Sequence, residues 1–487
     1  MENSLVSASG LLKASVVDRN AQVIVWFRHD LRLSDNPALA KAVESGNPVL
    51  PLYIEDPAGE GDWPDGGATR WWLHHSLAAL DEALQKLGSR LVIRSGDARS
   101  VLEELCESEK VVEVYWNRRY EPAIVARDTE IKKSLAARGA LARSFNGSLL
   151  QSPLQLKNKS GAPYRVFTPF WKHLRAMPRR ASSPTPRAIP SPRSWPKSDA
   201  LASLNLLPKL DWAAAFPENW KPGEAGASSA LESFAKRVGD YSKNRDLPAI
   251  EGVSRLSPHL RFGELSPIQI WERLEGGDSE PYLRQLGWRE FSYHLLFHFP
   301  DTPLEPLRPE FASFPWKRSA KALEAWQKGR TGYPIVDAGM RELWATGWMH
   351  NRVRMIVASF LVKHLLVPWQ EGAKWFWDTL VDADLANNTQ GWQWTAGCGA
   401  DAAPYFRIFN PITQGQRFDP NGEYTRRWVP ELKKLPDALL FCPWEASAEE
   451  LERAGVSLGG DYPKPIVDHA AGREGALSAY QKMKESS

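Results

Sequence analysis

The sequence predicts an α/β domain built on a doubly wound parallel sheet, followed by an all-α domain. Short β-branched runs alternate with helical patterns over residues 21–150. After about residue 227, apolar residues recur at three- and four-residue spacing, and a proline-rich stretch separates the two regions. A chain of 487 residues is long enough for two or three domains, and its 43% hydrophobic content is that of an ordinary globular protein.

The α/β domain, residues 21–150, is predicted from four short apolar runs. Strands of a parallel sheet are buried on both faces and therefore form continuous apolar stretches. The predicted strands are Val23–Phe27, Pro48–Ile54, Leu91–Gly96 and Val111–Trp116, with helical patterns at Arg70–Leu87 and Ser100–Cys106. No G-x-G-x-x-G follows the first strand, so the usual dinucleotide fingerprint is missing.

Residues 151–226 are predicted to connect the two domains. The stretch 177–197 contains six prolines and several arginines, a composition that supports neither a regular helix nor a central strand. Its arginines could contact nucleic acid, but a solvated linker is the better interpretation. Residues 1–20 are polar and mixed and lack the apolar core of a signal peptide, so we expect a flexible leader.

The helical domain is predicted over residues 227–487. Amphipathic helices bury one stripe of apolar residues, which gives the three- and four-residue spacing seen here. Turn signals separate the runs, and no internal repeat is visible. The predicted helical runs are Leu231–Val238, Tyr282–Phe297, Ala322–Trp326, Val336–Leu343 and Val353–Leu366.

The composition excludes several classes of protein. No run reaches the roughly 18 apolar residues that a membrane helix needs. The cysteines Cys106, Cys398 and Cys442 stand far apart without a CxxC pair, which argues against a disulfide framework or a metal site and fits a reducing cytoplasm. A net charge of +3 is too small for coating nucleic acid non-specifically, and the 22 tryptophans indicate aromatic chemistry or stacking.

Polar residues are unusually dense between Tyr333 and Phe409. Buried arginine and aspartate are costly unless they are paired. An Arg354–Asp382 or Arg354–Asp384 ion pair and helix capping by Asn387 and Asn388 would explain them without a function. Four such clusters within one apolar helical region favour a functional site: GYPIVDAGMREL (Gly332–Leu343), GWMHNRVRM (Gly347–Met355), DADLANNTQGWQW (Asp382–Trp394) and DAAPYFRIFNP (Asp401–Pro411).

A second polar cluster lies in GVSRLSPHLRFGELSP (Gly252–Pro267). Its Ser254-Arg255-Leu256-Ser257 segment places two hydroxyls and a guanidinium near a helix start, where phosphates bind well. Ser257-Pro258 is equally typical of an N-cap followed by proline at the first helical position. The spacing leaves both interpretations open.

Eight segments in order, covering residues 21 to about 470, resemble the DNA photolyase/cryptochrome family. The stretch YLRQLGWREF is similar to the bacterial class III photolyases, a branch close to plant cryptochromes. The resemblance implies a Rossmann-like α/β domain and a helical domain that binds FAD. The segments are FRHDLRLSDNPAL, SRLSPHLRFGELSP, WREF, TGYPIVDAGMREL, GWMHNR, DLANN, GWQW and DAAPYFRIFNP.

The resemblance implies a set of flavin-binding residues. Arg354 and Asp382 would form an ion pair beside the isoalloxazine, and Asn388 would face flavin N5, where an amide favours the reduced flavin. The phosphate-binding segment would comprise Tyr241, Ser254, Arg255, Leu256 and Ser257, and further contacts would come from Arg289, Asn351 and Asp384.

The implied reaction is light-driven repair of cyclobutane pyrimidine dimers in UV-damaged DNA. Excited reduced FAD gives an electron to a dimer flipped out of the DNA, the ring splits, and the electron returns. Gln285 stands where the best-known bacterial photolyases carry Glu, so we expect binding to survive and repair yield to be lower. The dimer would contact Trp288, Trp394 and Met355, and the DNA strand would contact Arg245, Arg352 and Arg407.

The tryptophan excess and a second chromophore also follow from the resemblance. Trp392, Trp369 and Trp316 match the chain that carries electrons from the surface to photoexcited oxidised FAD. Trp375, Trp377 and Trp348 would form either a branch of it or part of the core. An antenna, methenyltetrahydrofolate, is expected near YWNRRYEP (Tyr115–Pro122).

Two alternatives stay open: a cryptochrome-type blue-light photoreceptor and a (6-4) photolyase. Asn388, Met355 and the short stretch after DAAPYFRIFNP favour repair over signalling. Asn351 and Met355 oppose the (6-4) assignment, whereas Gln285 is shared with it. We expect a monomer in the cytoplasm that needs no metal and no membrane.

Overall fold

The computed structural model describes residues 21–402 and 407–485. The predicted flexible leader, residues 1–20, lies outside the described residues, as do residues 403–406 of the DAAPYFRIFNP segment.

The N-terminal region is a parallel sheet of five strands in the order β3-β2-β1-β4-β5. The four predicted strands are confirmed, and the α/β fold class with them. The fifth strand was missed because its sequence LARSF has two polar residues and no buried position, as expected at a half-exposed edge. The strands are β1 (Gln22–Phe27), β2 (Val49–Glu55), β3 (Val92–Ser95), β4 (Val111–Asn117) and β5 (Leu141–Phe145).

Both faces of the sheet are covered, which makes it doubly wound. Val23, Val25 and Phe27 of β1 pack with α1 and α2 on one face, and Ile24 and Trp26 pack with α3 and α4 on the other. This explains why β1 is apolar at every position from Val23 to Phe27. The covering helices are α1 (Pro37–Glu44), α2 (Gly67–Lys86), α3 (Ala98–Ser108) and α4 (Pro122–Ala137).

The predicted connection, residues 151–226, contains helices α5 (Phe167–Ala176) and α6 (Phe216–Asn219) and a stretch that runs along the sheet. Described residues 177–200 form no helix or strand. The stretch nevertheless lies partly against the α/β domain instead of in solvent, since Pro190 accepts a hydrogen bond from Val49 N at 2.7 Å and Ile189 is buried. Helix α5 buries Phe167, Phe170 and Trp171 against the helical domain.

The C-terminal region is helical, as predicted. Helix α7 ends before the predicted end at Val238, and the run Val353–Leu366 divides into α14 and a π-helical turn, Phe360–His364. The helices are α6 (Phe216–Asn219), α7 (Glu224–Ala235), α8 (Tyr241–Asn244), α9 (Ser257–Arg261), α10 (Pro267–Leu274), α11 (Glu280–His298), α12 (Ala320–Gln327), α13 (Pro334–Thr346), α14 (Asn351–Ser359), α15 (Trp369–Thr379), α16 (Leu385–Ala396), α17 (Pro411–Phe418), α18 (Glu423–Trp428), α19 (Asp437–Leu440), α20 (Ala448–Ala454) and α21 (His469–Glu485).

Helix α16 has well-defined ends, which fix the residues it carries. Asp384 is its N-cap and accepts from Asn387 N at 2.8 Å, and Gly397 ends it with a φ of 92°. The alternative of helix capping by Asn387 and Asn388 is therefore wrong: both lie inside the helix, because Asp384 already supplies the cap. Across the described residues, we find no helix with the length and apolar character needed to cross a membrane.

Candidate functional site

Helices α11, α14, α15 and α16 enclose a cavity of about 430 Å³, which we call the helical cavity. Most of the predicted flavin-ring and dimer residues line it, although they come from separate segments of the chain. The predicted residues in its wall are Arg245, Gln285, Trp288, Asn351, Arg354, Met355, Asp382, Asp384, Asn388, Trp392 and Trp394.

An ion pair between Arg354 and Asp382 forms one side of the helical cavity. The Arg354 guanidinium donates to Asp382 Oδ2 at 2.8 Å and to Met349 O at 2.7 Å. The second carboxylate oxygen, Asp382 Oδ1, is buried and has no hydrogen-bond partner among the described residues. A buried acceptor without a donor is costly, so this oxygen is suited to an N–H group of a bound ligand.

Asp384 and Asn388 lie one helical turn apart at the start of α16. Tyr293 OH donates to Asp384 Oδ2, so both carboxylate oxygens of Asp384 are used within the protein. The side-chain amide of Asn388 donates to Ala373 O at 3.0 Å. This bond orients the amide and leaves its carbonyl oxygen as the group able to accept from a ligand in the cavity.

Trp288 lines the helical cavity together with Trp394 and Met355. One face of Trp288 is covered by Phe167, with ring centroids 3.7 Å apart and planes 6° from parallel. Trp288 therefore has only its other face free for a base. Gln285 also lines the cavity, and its amide makes only a long hydrogen bond, 3.4 Å, to Pro281 O.

The three predicted electron-transfer tryptophans differ in burial and in position. Trp392 is buried in the cavity wall, with Phe376 at 5.0 Å and Trp326 at 6.1 Å between ring centroids. A Cβ on Gly372 would lie 2.1 Å from the Trp392 ring, so this glycine permits the close approach of α15. Trp369 is buried at the start of α15, and Trp316 is half-buried.

The other three tryptophans have packing partners. Trp375 stacks on Trp344 with planes 7° from parallel, and Trp377 meets Trp63 edge-on at 5.4 Å. Trp348 lies on one side of the Arg255 guanidinium. These contacts account for their burial whether or not they carry electrons.

The predicted phosphate segment lies near α9 and is not part of the described lining of the helical cavity. Arg255 packs between Trp220 and Trp348, at 4.3 and 4.9 Å, so its guanidinium is held by aromatic rings. Leu256 is the N-cap of α9 and Ser257 its first residue, so the alternative of an N-cap at Ser257 is wrong. The remaining members are Tyr241, which is buried, and Ser254, which accepts from Tyr282 OH at 3.0 Å.

The predicted DNA-facing arginines differ in their surroundings. Arg245 lines the helical cavity, and Arg407 lines a small neighbouring cavity with Trp394. Arg352 pairs with Asp246 at 2.9 Å and is 17% exposed, so it is not a freely solvated charge. Arg289, predicted to contact the flavin, instead donates to Ser148 O at 2.9 Å and is not among the residues lining the cavity.

Two buried carboxyl groups that do not line the helical cavity have raised pKa values. Burial raises the pKa of Glu342 to about 7, although Tyr424 OH donates to it at 2.7 Å. Burial likewise raises the pKa of Glu290 to about 7, against the opposing effects of Arg289 and two backbone N–H groups. Burial therefore favours the protonated form of both groups more than water does.

A smaller cavity of about 40 Å³, the α/β cavity, lies where β1, β2 and β4 end. Ligands of doubly wound sheets usually bind at such an edge. Arg119 of the predicted antenna segment lies in its wall and pairs with Glu60 at 2.6 Å and Glu121 at 2.9 Å. A cavity of this size has room for water but not for a folate.

Several residues of the site were not predicted. Phe291, Phe376 and Gln390 line the helical cavity, and Phe167 supports Trp288 from outside it. Phe291 belongs to the WREF segment and could have been found there. Phe167 lies in the predicted connection, where no motif indicated its contact with a residue more than a hundred positions further on.

Comparisons with known proteins show the family of the chain. The DNA photolyase family model matches residues 23–191, and the model of the FAD binding domain of DNA photolyase matches residues 282–482. The chain is 51% identical to a deoxyribodipyrimidine photo-lyase of Agrobacterium fabrum over 96% of this chain and 99% of that one. It is 40% identical to cryptochrome-1 of Arabidopsis thaliana over 95% of this chain and 71% of that one.

The fold agrees as well. A crystal structure of a bacterial class III photolyase from Agrobacterium tumefaciens superimposes with a TM-score of 0.93 at 50% identity, covering 99% of this chain and all of that one. The buried, unpartnered Asp382 Oδ1 and the oriented Asn388 amide fit a flavin ring in the helical cavity. The chain belongs to the DNA photolyase family, with an N-terminal photolyase domain and a C-terminal FAD-binding domain.

Proposed function

We propose that this protein repairs cyclobutane pyrimidine dimers in UV-damaged DNA, using light and bound FAD. One observation carries the proposal: Asp382 and Asn388, suited to a flavin, line the same cavity as Trp288 and Trp394, suited to stacked bases. A shared cavity allows electron transfer without an intervening protein wall. The chain's similarity to deoxyribodipyrimidine photo-lyases supports the same reaction.

The chain's own residues would hold the flavin by complementary hydrogen bonds. Asp382 Oδ1 would accept from a ring N–H, and the hydrogen bond from Arg354 holds that carboxylate in place. The Asn388 carbonyl accepts at N5, which favours a protonated N5 and therefore the reduced flavin. Bound in its reduced form, FAD supplies an electron on illumination and takes it back after the cyclobutane ring has opened.

The substrate would enter the cavity as a flipped dinucleotide. A damaged base is poorly stacked, so extrusion costs only a few kcal/mol. Trp288 and Trp394 offer aromatic faces, and each stacked base contributes about 1–3 kcal/mol. Arg245 and Arg407, with Arg352 beside Asp246, would neutralise the flanking phosphates and make binding salt-dependent.

The finer parts of the proposal are the class, the assembly and the second chromophore. We assign the chain to the class III photolyases on its similarity to a solved member. We propose a monomer in the cytoplasm, where the free thiols Cys106, Cys398 and Cys442 stay reduced. We also propose a folate antenna. The α/β cavity, at about 40 Å³, is too small to hold it, so its site lies elsewhere.

The test uses purified protein with its flavin chemically reduced under anaerobic conditions. UV-irradiated oligothymidine carrying cyclobutane dimers is added, and absorbance near the thymine band is followed under blue light and in the dark. Recovery of absorbance only in the light supports dimer repair. No recovery, from protein that holds reducible FAD, contradicts the proposal and favours the photoreceptor alternative.

A further inference from the structure

A buried arginine outside the helical cavity, Arg261, binds the loop Asp382–Asp384, which leads into α16. Arg261 is the last residue of α9, and its side chain is 3% exposed. Its Nε donates to the backbone carbonyl of Ala383. Ala383 lies between Asp382, whose Oδ1 is unpartnered in the cavity wall, and Asp384, the N-cap of α16.

The other two nitrogens of Arg261 are held by the α/β domain. One donates to Asp65 Oδ1 at 2.8 Å, and the other contacts the imidazole of His29, closest to its Nδ1. Arginine can only donate, so His29 must accept with an unprotonated ring nitrogen. Burial, with the nearby charges of Arg119 and Arg261, holds the pKa of His29 well below its ordinary value and keeps the ring neutral.

Ala383 O, the carbonyl that accepts from Arg261, lies between Asp382 and Asp384 in the chain, so its orientation affects where both aspartates point. A hydrogen bond to Ala383 O fixes the peptide plane between Ala383 and Asp384, and therefore the start of α16. That helix carries Asn388 and Trp392, which line the helical cavity. A buried carbonyl without a donor would also be costly, so the loop depends on this contact.

We propose that Arg261 is a positioning residue that sets the Asp382–Asp384 loop for flavin binding, and that His29 and Asp65 of the α/β domain hold it in place. His29 and Asp65 also line the α/β cavity. The α/β domain thus contributes to flavin binding at a distance, although none of its residues is among those that line the helical cavity.

The experiment compares FAD binding by full-length variants. Arg261→Lys keeps the charge but can serve only one partner at a time. Asp65→Ala removes an acceptor of Arg261 in the α/β domain without touching the helical cavity. Each protein is freed of flavin and titrated with FAD, and the vibronic structure of the bound oxidised flavin spectrum is recorded with the thermal midpoint.

A matched control tests whether any contact between the two domains has the same effect. Asp378 accepts from Gly67 N at 2.8 Å, so it joins α15 to the start of α2 without touching Ala383. Asp378→Ala removes that contact. We expect it to lower the thermal midpoint and leave the dissociation constant of FAD unchanged.

Arg261→Lys is expected to weaken FAD binding about tenfold, or about 1.4 kcal/mol, because lysine cannot bind Ala383 O and the partners in the α/β domain at the same time. Asp65→Ala should weaken it in the same direction and blur the vibronic structure. Wild-type FAD affinity in both variants overturns the inference, as does an equal loss in Asp378→Ala. The inference rests on the proposed flavin site: a wild-type chain that binds no FAD contradicts that function, whereas unchanged variants contradict this inference alone.

Discussion

Phe167 stacks on Trp288 with ring centroids 3.7 Å apart and planes 6° from parallel. Trp288 lines the helical cavity, whereas Phe167 is fully buried behind it at the start of α5. The ring of Trp288 is therefore oriented by a residue from the segment between the two domains. If Trp288 stacks on a flipped base, as proposed, this segment acts on substrate binding indirectly, through Trp288.

Phe167→Leu should weaken binding of DNA that carries a cyclobutane dimer. Loss of an aromatic pair costs about 0.5–1.5 kcal/mol, so we expect affinity to fall roughly 3- to 10-fold while FAD content is unchanged. Fluorescence anisotropy with a damaged duplex measures the effect. Phe311→Leu removes a buried ring that packs on Phe314 instead, and should leave DNA affinity intact; equal losses in the two variants would contradict the role of Phe167.

Asp382→Asn should release FAD. The amide keeps the shape but loses the negative charge that pairs with Arg354, and hydrogen bonds to charged groups are worth about 1.5–3 kcal/mol. We expect FAD affinity to fall about tenfold or more, measured by flavin fluorescence. Asp337→Asn is the matched control, since Asp337 is a buried carboxylate bound to Thr331 and Tyr462. FAD retained in Asp382→Asn would count against the flavin site.

Glu342→Gln should make the thermal midpoint less dependent on pH. Burial raises the pKa of Glu342 from 4.5 to about 7, so between these values the folded protein holds a proton that the unfolded chain releases. Its contribution to stability is present below pH 4.5 and is lost as pH rises through 7. The midpoint should fall more in wild type than in Glu342→Gln between pH 5 and pH 8, values that bracket about pH 7.

The control for this comparison is Glu449→Gln, whose side chain is 84% exposed and pairs only with Arg453. That variant should keep the wild-type pH dependence. An identical fall of the midpoint in wild type and Glu342→Gln would show that the buried carboxyl does not titrate in this range.

Trp392→Phe should abolish most photoreduction of oxidised FAD but leave repair by chemically reduced protein intact. The Trp392 ring lies in the wall of the helical cavity, and phenylalanine is much harder to oxidise than an indole. Trp326→Phe tests the route, because Trp326 is buried 6.1 Å from Trp392 but is not part of the proposed chain through Trp369 and Trp316. Photoreduction lost in Trp326→Phe and kept in Trp392→Phe would place the electron path elsewhere.

The sequence predicted what depends on local pattern. Four strands were found because each contains adjacent buried apolar residues, and β5 was missed because Leu141–Phe145 has no buried residue. Asp382 and Asn388, which the resemblance implied as flavin contacts, come from one stretch of the chain and line the same cavity. The sequence alone could not decide whether Arg354 pairs with Asp382 or with Asp384, and the structure shows the pair with Asp382.

Contacts between distant segments could not be predicted. Arg261 stood in a quoted segment, but its partners His29 and Asp65 lie 232 and 196 residues away. Phe167 and Trp288 likewise meet only in the folded chain. Arg255 matched a phosphate-binding segment, yet its guanidinium lies between two tryptophan rings, which are brought together only by tertiary packing.

The most direct test of the central claim is repair of a duplex that carries one cyclobutane thymine dimer at a defined position. Reduced protein is mixed with the duplex, illuminated with blue light, and the strands are separated by chromatography, with a dark sample and a duplex carrying a (6-4) product alongside. We predict restored thymines in the illuminated cyclobutane sample alone. Repair of the (6-4) product, or no repair by protein that holds reduced FAD and binds the damaged duplex, would contradict the account.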